Sequence, residues 1–444
     1  MDIYTVGGFN EVGKNMTVVD LGEDAVIFDC GLFLPPILAL EEAERVYTEK
    51  KLKSIKAIPS DNILDKLGIR KKVRAIIPSH AHLDHIGGIP YLSHRYKADI
   101  LGTPFTNEVL KSILNDEDIH LRNKIKTIQP NSSVTINGKN KKYKLDFINI
   151  THSTLQTSML ALHTKQGVVL YSNDFKFDNF PVLGKKPNYE KLKEISKKGV
   201  KALIVDSLYS GDERKTASEK VARSLLEDVM LTTTNENSGL FVTTFSSHIA
   251  RLKSIVDFGK KLNRKPIFLG RSLNKYVNAA DKVKLCPFKK DIKLLRYKNQ
   301  IERELKNISK NRKKYLVVCT GHQGEPGSIL DRIARNQLHF KFEKQDHLIF
   351  SSSIIPTPET IENREKLDLR LKKRGIRIFN NVHVSGHAGR EDLRDFVNMV
   401  NPEHIIPAHG EHKKIAPMRE LALELGYKPN KVHLMDDGKR LHLK

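Results

Sequence analysis

The sequence contains no tryptophan, and its three cysteines lie far apart in the chain. Cys30, Cys286 and Cys319 form no C-x-x-C pair, which excludes a disulfide framework and a thiolate zinc site and indicates a reducing compartment. No apolar run is long enough to cross a membrane, and the first residues lack the basic start and apolar core of a signal peptide. We therefore predict a soluble, cytoplasmic protein that does not insert into membranes.

Acidic residues are scarce relative to basic ones. The 444 residues include 76 Lys and Arg against 52 Asp and Glu, which gives a formal net charge of +24. This excess favours a polyanionic partner, with nucleic acid as the leading candidate, although a generally basic proteome is an alternative explanation. Hydrophobic residues make up 39% of the chain, enough for a sizeable core, and the length predicts two domains, in tandem or with one inserted into the other.

Strand-like segments and helical patterns alternate along the chain. Asn137-Gly138 between two strand-like runs predicts a hairpin, and residues 201–206 form an apolar strand. After Ser207 long helices alternate with strands, a rhythm typical of βαβ units and a parallel sheet. Strand-like segments at 377–379 and 404–407 predict that the tail rejoins the first domain. Together these patterns predict an α/β fold.

The segment from His80 to His85 carries three histidines and one aspartate within six residues, directly after a predicted strand. In an extended turn His80 and His82 point to the same side, whereas Asp84 and His85 can turn toward a second ion. Nitrogen and oxygen donors of this mixture suit Zn²⁺. A solvated, histidine-rich surface loop is the alternative, but a structural role rarely needs this density of ligands. The segment therefore predicts a two-metal hydrolase site.

Three further candidate ligands follow other predicted strands. His152 follows the run 147–151, Asp174 follows 168–173, and His409 follows 405–408. An aspartate in the place of Asp174 could bridge both ions. The predicted ligand sets are His80, His82, His152 and Asp174 for one ion, and Asp84, His85, Asp174 and His409 for the other.

Several motifs in this order resemble the metallo-β-lactamase fold, and the segment after Ser207 resembles the β-CASP insertion of its nucleic-acid-processing members. Three stretches resemble the RNase J family, especially its archaeal branch. The motifs are Phe28-Asp29-Cys30-Gly31, the H-x-H-x-D-H segment, His152, Asp174 and His409, and the three stretches are residues 319–326, 382–387 and 407–411. The resemblance covers nearly the whole chain. It implies a metallo-β-lactamase αββα sandwich with an inserted β-CASP domain, which is a parallel sheet with flanking helices.

The resemblance also implies domain limits. Residues 1–207 and 376–444 would form the two parts of the metallo-β-lactamase domain, and residues 208–375 the β-CASP domain. Bacterial relatives usually extend into a further domain that aids dimerisation, so the oligomeric state stays open here, with a homodimer as one alternative. Residues 34–61 match no known chemistry, and we predict that they are a surface elaboration.

Catalytic roles follow from the same resemblance. Two zinc ions, with manganese as an alternative, would hold a bridging hydroxide that attacks phosphorus, because coordination lowers the pKa of water to about 7. The ligand Asp84 would take part in catalysis, and His387 would protonate the leaving ribose oxygen with its tautomer fixed by Asp206. Asp29 would orient the ligands rather than bind a metal. The implied 5′-phosphate pocket has its walls at Ser247, His248, Arg251, His383, Ser385 and Gly386.

These expectations predict a zinc-dependent ribonuclease that degrades 5′-monophosphorylated, single-stranded RNA in the 5′ to 3′ direction. A β-CASP endoribonuclease and a catalytically weak RNA-binding subunit are the alternatives, and the complete ligand set argues against the second. A small-molecule hydrolase is disfavoured by the long insertion and the positive charge. Basic segments at 139–144, 310–314 and 370–377 are candidates for guiding an RNA backbone.

Overall fold

The computed structural model describes residues 1–38, 47–355 and 357–444. The described residues form three β-sheets with helices packed on their faces. The strands are β1 (Asp2–Gly7), β2 (Met16–Asp20), β3 (Ala25–Phe28), β4 (Val73–Ile77), β5 (Asp99–Gly102), β6 (Ile125–Thr127), β7 (Ser133–Asn137), β8 (Lys142–Asn149), β9 (Ser158–Thr164), β10 (Gly167–Ser172), β11 (Val200–Asp206), β12 (Leu240–Thr243), β13 (Lys265–Leu269), β14 (Lys293–Leu295), β15 (Tyr315–Cys319), β16 (His347–Phe350), β17 (Arg377–Phe379), β18 (His404–Ala408) and β19 (Lys439–His442). The α-helices are α1 (Pro35–Leu38), α2 (Glu49–Ser54), α3 (Asn62–Lys66), α4 (Leu83–Ile86), α5 (Ile89–Leu92), α6 (Pro104–Asp116), α7 (Tyr189–Lys197), α8 (Glu219–Glu227), α9 (Ile249–Lys261), α10 (Arg271–Lys282), α11 (Lys298–Lys310), α12 (Ile329–Ala334), α13 (Pro358–Lys372), α14 (Arg390–Val400) and α15 (His412–Glu424).

Two of the sheets pack face to face. The first has the strand order β19-β1-β2-β3-β4-β5-β6, and the second has the order β18-β11-β10-β9-β8-β7. Apolar side chains from both sheets meet between them, among them Phe28, Phe147, Ile204 and Ile406. Helix α6 packs on the outer face of the first sheet, and α7, α14 and α15 pack on the outer face of the second. This arrangement is an αββα sandwich, so the predicted fold class is confirmed.

The third sheet is entirely parallel, with the order β14-β13-β15-β12-β16-β17. Its central strand β12 is buried along its whole length, as expected for a parallel sheet that is covered on both faces. Helices α9 and α10 pack on one face, and α11, α12 and α13 pack on the other. The βαβ rhythm after Ser207 thus predicts this sheet correctly.

The tail divides between the third sheet and the sandwich. β17 pairs in parallel with β16, so residues 377–379 belong to the third sheet, which runs past the predicted limit at residue 375. The expectation that these residues rejoin the first domain is wrong, because a three-residue edge strand carries no pattern that identifies its neighbour. β18 pairs in parallel with β11, and β19 pairs antiparallel with β1, so the later strands do return to the sandwich.

Residues 34–61 contribute to the core. Leu52 and Ala57 are fully buried among the side chains beneath the first sheet. The carboxylate of Asp61 accepts hydrogen bonds from the Tyr96 hydroxyl at 2.7 Å and from the Arg70 guanidinium at 3.3 Å. The prediction of a surface elaboration is therefore wrong for the described part of this segment. Its residues 39–46 lie outside the described ranges.

Among the described residues no helix is both long and apolar enough to cross a membrane. Cys30, Cys286 and Cys319 are buried free thiols.

Candidate metal centre

The carboxyl ends of several strands meet at one edge of the sandwich. β10, β11 and β18 are parallel neighbours, and β8 runs in the same direction because it is separated from β10 by one antiparallel strand. The opposing sheet contributes the end of β4, which leads through His80 into α4. Loops that leave parallel strands at one edge bring distant residues together on a rigid base. The seven predicted ligands all follow these strand ends.

The first ligand group consists of His80, His82, His152 and Asp174, whose potential ligand atoms lie within 4.8 Å of one another. His80 Nε2 lies 3.0 Å from His82 Nδ1 and 3.5 Å from Asp174 Oδ2. His152 Nε2 lies 3.2 Å from His82 Nδ1, and its Nδ1 donates to the carbonyl oxygen of Gly386 at 2.7 Å. That second bond fixes the His152 ring so that Nε2 faces the group.

The second ligand group consists of Asp84, His85, Asp174 and His409. His85 Nε2 lies 3.4 Å from Asp84 Oδ2 and 3.2 Å from Asp174 Oδ2. His409 Nδ1 lies 3.4 Å from Asp174 Oδ1, on the other side of that carboxylate. Asp174 belongs to both groups.

Asp29 holds His85 and the start of the histidine segment in place through hydrogen bonds. Its carboxylate accepts hydrogen bonds from the Ser79 backbone N–H at 2.7 Å, the His85 Nδ1–H at 2.7 Å and the Tyr171 hydroxyl at 2.7 Å. Because Nδ1 of His85 is engaged in this way, its Nε2 atom is the one that faces Asp84. The geometry is that of an orienting residue, since Asp29 is fully buried behind the ligands.

Backbone conformation also constrains the site. Asp29, Asp174 and His409 have φ values of 57°, 56° and 66°, in the left-handed region that non-glycine residues seldom occupy. Such conformations are unfavourable and persist only where the surrounding structure holds them, often at functional sites. Gly31 lets its own backbone lie close to the backbone of Asp84, because a Cβ at this position would lie 1.6 Å from the Asp84 carbonyl oxygen.

Sequence reasoning missed several residues that support the ligands. Asn15 lies between the histidines of the second group, with Nδ2 at 3.1 Å from His85 Nε2 and Oδ1 at 3.1 Å from His409 Nδ1. The Ser79 hydroxyl lies 3.0 Å from His80 Nδ1 and 2.9 Å from Asp29. No signal in a single sequence distinguishes these polar residues from ordinary turn residues.

The donor set fits bound cations. Burial lowers the pKa of His80 and His152 well below the usual value, so both are neutral and able to act as ligands. Burial also lowers the pKa of His85, but the carboxylates of Asp174 and Asp84 outweigh it and raise that pKa well above the usual value. Asp174 Oδ1 is buried and accepts no hydrogen bond from a described residue. An orphaned buried carboxylate oxygen surrounded by imidazoles fits a metal ligand.

A third group lies beside the two ligand groups. Nδ1 of His387 lies 2.8 Å from Asp206 Oδ2, and both residues lie close to Asp174. Asp206 is buried at the end of β11, where its other oxygen accepts the backbone N–H of Leu208 at 3.0 Å. Burial lowers the pKa of His387, but the carboxylates of Asp206 and Asp174 raise it to about 9.

The residues of the predicted phosphate pocket divide into two sets. Ser247 Oγ lies 3.0 Å from His82 Nε2, and the Ser385 hydroxyl accepts the backbone N–H of His387 at 3.0 Å, so both border the metal centre. The Gly386 carbonyl oxygen already accepts the hydrogen bond from His152 Nδ1. A Cβ at Gly386 would lie 2.9 Å from the His152 ring, so this glycine allows the close approach of the loop.

The second set consists of Arg251, His248 and His383, and Arg251 lies in the protein interior. The Arg251 side chain is fully buried, and its guanidinium pairs with both carboxylate oxygens of Glu219 and donates to Ser351 Oγ at 2.8 Å. Arg251 Nη1 also lies 3.2 Å from His383 Nδ1, and His248 Nε2 lies 3.4 Å from Glu219 Oε2. A direct contact between Arg251 and a phosphate is at odds with this geometry, because every nitrogen of the guanidinium already has a protein partner.

Comparison with known proteins agrees with the fold. Residues 10–187 match the metallo-beta-lactamase superfamily, residues 237–365 match the family described as "Ribonuclease J, beta-CASP domain", and residues 373–435 match the "Zn-dependent metallo-hydrolase RNA specificity domain". The fold and the buried His/Asp site therefore define a metallo-β-lactamase protein with a β-CASP domain. The chain belongs to the ribonuclease J family.

Relatives in that family match along almost the whole chain. Ribonuclease J of Methanocaldococcus jannaschii is 42% identical over 99% of this chain and 98% of its own length. Ribonuclease J of Pyrococcus abyssi is 42% identical over 96% of this chain and 93% of its own length. A crystal structure of an Enterococcus faecalis protein of unknown function has a TM-score of 0.66 at 17% identity and covers 99% of both chains, which supports the fold alone.

Proposed function

We propose that this protein is a metal-dependent ribonuclease that degrades 5′-monophosphorylated, single-stranded RNA in the 5′ to 3′ direction. The observation that carries the proposal is the pair of four-ligand groups that share Asp174, with His387 and Asp206 beside them. Relatives named Ribonuclease J match the chain over nearly its full length. The net charge of +24 suits an RNA substrate, and the buried free cysteines suit a reducing cytoplasm.

The two ligand groups would hold two Zn²⁺ ions, since five imidazoles and two carboxylates are typical zinc donors, and Mn²⁺ accepts the same set. When bound, such ions lower the pKa of water and neutralise charge on the reacting phosphate. Asp174 would be a ligand in both groups, while Asp29 holds the ring of His85. Asp84 has its oxygen next to His85 and would complete the second ion's shell.

His387 would provide the proton for the leaving ribose oxygen. Its Nδ1 is bonded to Asp206, so Nε2 is the nitrogen left to face the substrate. The carboxylates of Asp206 and Asp174 outweigh the effect of burial and raise its pKa to about 9, so the imidazole carries a proton at neutral pH. A positioned acid of this kind contributes about 10²- to 10⁴-fold to a hydrolysis rate.

The 5′-phosphate would bind between Ser247 and His383. Ser247 lies against the ligand His82, so a phosphate there is next to the metal centre and directs cleavage to the first linkage. Burial lowers the pKa of His248 to about 3, so this ring is neutral and interacts with a phosphate as a hydrogen-bond donor. Arg251 would not contact the phosphate itself but would hold the ring of His383 in place.

Cleavage of one uniformly labelled RNA in three forms tests the proposal: 5′-monophosphorylated, 5′-triphosphorylated and circular. We expect release of mononucleotides from the monophosphorylated form alone, with activity lost in His80→Ala and strongly reduced in His387→Ala. His120→Ala, which changes an exposed histidine, serves as the control and should retain activity. Cut circles would identify an endonuclease instead. Binding without cleavage by the metal-loaded protein would leave an RNA-binding subunit.

A further inference from the structure

Phe180 lies on the loop between β10 and α7 with 63% of its surface exposed. A single exposed apolar side chain needs no explanation by itself. The loop around Phe180 is nevertheless fixed on both sides. The Phe180 N–H donates to Asp178 Oδ1 at 2.8 Å, and its carbonyl accepts the Ser218 hydroxyl at 3.1 Å. The same Asp178 carboxylate accepts the N–H of Glu219 at 2.7 Å, so the ring is held outward by the start of α8.

Cationic side chains surround the exposed ring. The ammonium nitrogens of Lys186 and Lys220 lie 5.5 and 5.9 Å from the ring centroid. Neither ammonium forms an ion pair with a carboxylate in the part of the chain that the structure describes. Arg223 and Lys253 line the same open groove of about 540 Å³ and share one carboxylate, Asp257, at 2.8 and 2.6 Å. The groove therefore has a surplus of positive charge around an accessible aromatic face.

The groove continues toward the metal centre. Pro181, Val182 and Gly184 line both this groove and a smaller cavity of about 30 Å³. The smaller cavity is also lined by the ligand His152 and by His248 of the proposed phosphate pocket. The cationic groove and the reaction centre are thus adjacent parts of one surface.

We propose that Phe180, Lys186, Lys220, Arg223 and Lys253 form a second binding surface for single-stranded RNA, outside the cleavage site. One base stacks on the Phe180 ring, and the cations bind phosphates on either side of that base. Exposed aromatic rings within a positively charged groove are the general means of binding single strands without sequence preference. Four cations against one carboxylate exceed what a single mononucleotide needs, so the occupant is a chain of nucleotides. The inference rests on the proposed ribonuclease function.

The test measures binding of an oligoadenylate of about fifteen nucleotides, labelled at its 3′ end, to metal-loaded protein by fluorescence anisotropy. All variants carry His387→Ala so that cleavage is slow. Phe180→Ala should weaken binding by about 5- to 150-fold, the range found for a lost base–aromatic stack. Phe180→Trp should restore it. Leu369→Ala removes a side chain of matched exposure, 60%, from α13 and should change nothing. Binding of duplex RNA should be the same with and without Phe180, because paired bases cannot stack on the ring.

A 2-aminopurine placed at successive positions of the RNA locates the stacked base. We expect one position at which fluorescence is quenched with Phe180 present and recovers in Phe180→Ala. Equal affinity of Phe180→Ala and the parent for single strands would overturn this inference alone, provided that the wild-type protein still degrades RNA. Adenosine monophosphate binding as tightly as the oligomer would also overturn it. A wild-type protein that neither binds nor cleaves RNA would remove the proposed function as well.

Discussion

At the scale of single residues, the Asp206 carboxylate orients His387 and, together with the Asp174 carboxylate, raises its pKa. In Asp206→Asn we expect kcat to fall by about 10²-fold or more, because the tautomer is no longer fixed. An acid is active only while protonated, so activity falls as pH rises through its pKa. Loss of the Asp206 charge lowers the His387 pKa from its value of about 9, and the alkaline limb of the kcat profile should move to lower pH.

Measured pH profiles of wild-type, Asp206→Asn and His120→Ala proteins check this prediction, with metal content determined for each. His120→Ala should match the wild type. An alkaline limb that stays in place in Asp206→Asn would contradict the role of this carboxylate. Loss of metal from the same variant would show instead that Asp206 supports the ligands.

The sequence alone identifies the candidate ligands more readily than the residues around them. His152, Asp174 and His409 can be found because each follows an apolar strand-like run, and such strand ends meet at one edge of a sheet. Tyr171 cannot be found in this way. It lies in β10, which is buried at every position after the first, and only the structure shows that its hydroxyl bonds to Asp29. The burial of Arg251 is equally invisible in the sequence, because burial depends on tertiary packing.

At the scale of secondary structure elements, one buried ion pair joins α8 to α9. Glu219 at the start of α8 and Arg251 in α9 bind each other in the interior, and Arg251 extends the contact to Ser351 after β16. Burial raises the pKa of Glu219, but His248 and Arg251 lower it to about 2, so the carboxylate is charged at neutral pH. This pair joins helix α8, which carries Lys220 and Arg223 of the proposed RNA-binding surface, to helix α9, which carries Lys253.

Breaking this pair should destabilise the protein strongly. In Arg251→Ala the Glu219 charge remains buried without its main partner, and we expect a loss of about 3–5 kcal/mol in the free energy of unfolding. Urea unfolding at neutral pH measures it. Lys366→Ala, which breaks an exposed pair on α13, is the matched control and should change little.

A second substitution tests whether the unpaired Glu219 charge causes the loss of stability in Arg251→Ala. Adding Glu219→Gln to Arg251→Ala removes the unpaired charge and should recover part of the lost stability. If Arg251→Ala costs no more than Lys366→Ala, or if the double variant is less stable than the single one, the unpaired charge is not the source of the effect.

Secondary structure elements are predicted correctly from the sequence where the periodic segments are long. The prediction fails where an element has only a few residues or where its burial depends on distant partners. The parallel sheet after Ser207 follows from repeated strand and helix patterns. β17 is misplaced because three residues cannot show which sheet they join. Leu52 and Ala57 lie in a charged stretch that suggests a surface, yet both are buried against the first sheet, since burial depends on partners distant in the chain.

At the scale of the whole molecule, the metal centre joins the two halves of the sandwich. His80, His82, Asp84 and His85 follow a strand of the first sheet, whereas His152, Asp174 and His409 follow strands of the second. Each ligand group draws on both sheets. Bound ions would therefore stabilise the packing of one sheet on the other, in addition to their part in catalysis. Protons compete for the same imidazoles, so this stabilisation depends on pH.

Chelation of the metal should lower the melting temperature. A ligand present at 1,000 times its Kd stabilises the native state by about 4 kcal/mol, and for a chain of this size we expect a shift on the order of 4 °C for each bound ion. The His85 pKa is raised well above its usual value by Asp174 and Asp84 against the effect of burial, so this imidazole must release a proton to bind an ion. The difference in melting temperature between the metal-loaded and the chelated protein should therefore shrink as pH falls, because protons displace the metal. Differential scanning calorimetry at several pH values, with Asp174→Asn as the variant that lacks the shared ligand, measures this. Equal shifts in wild-type and Asp174→Asn proteins, or a shift that grows at low pH, would show that chelation acts elsewhere in the molecule.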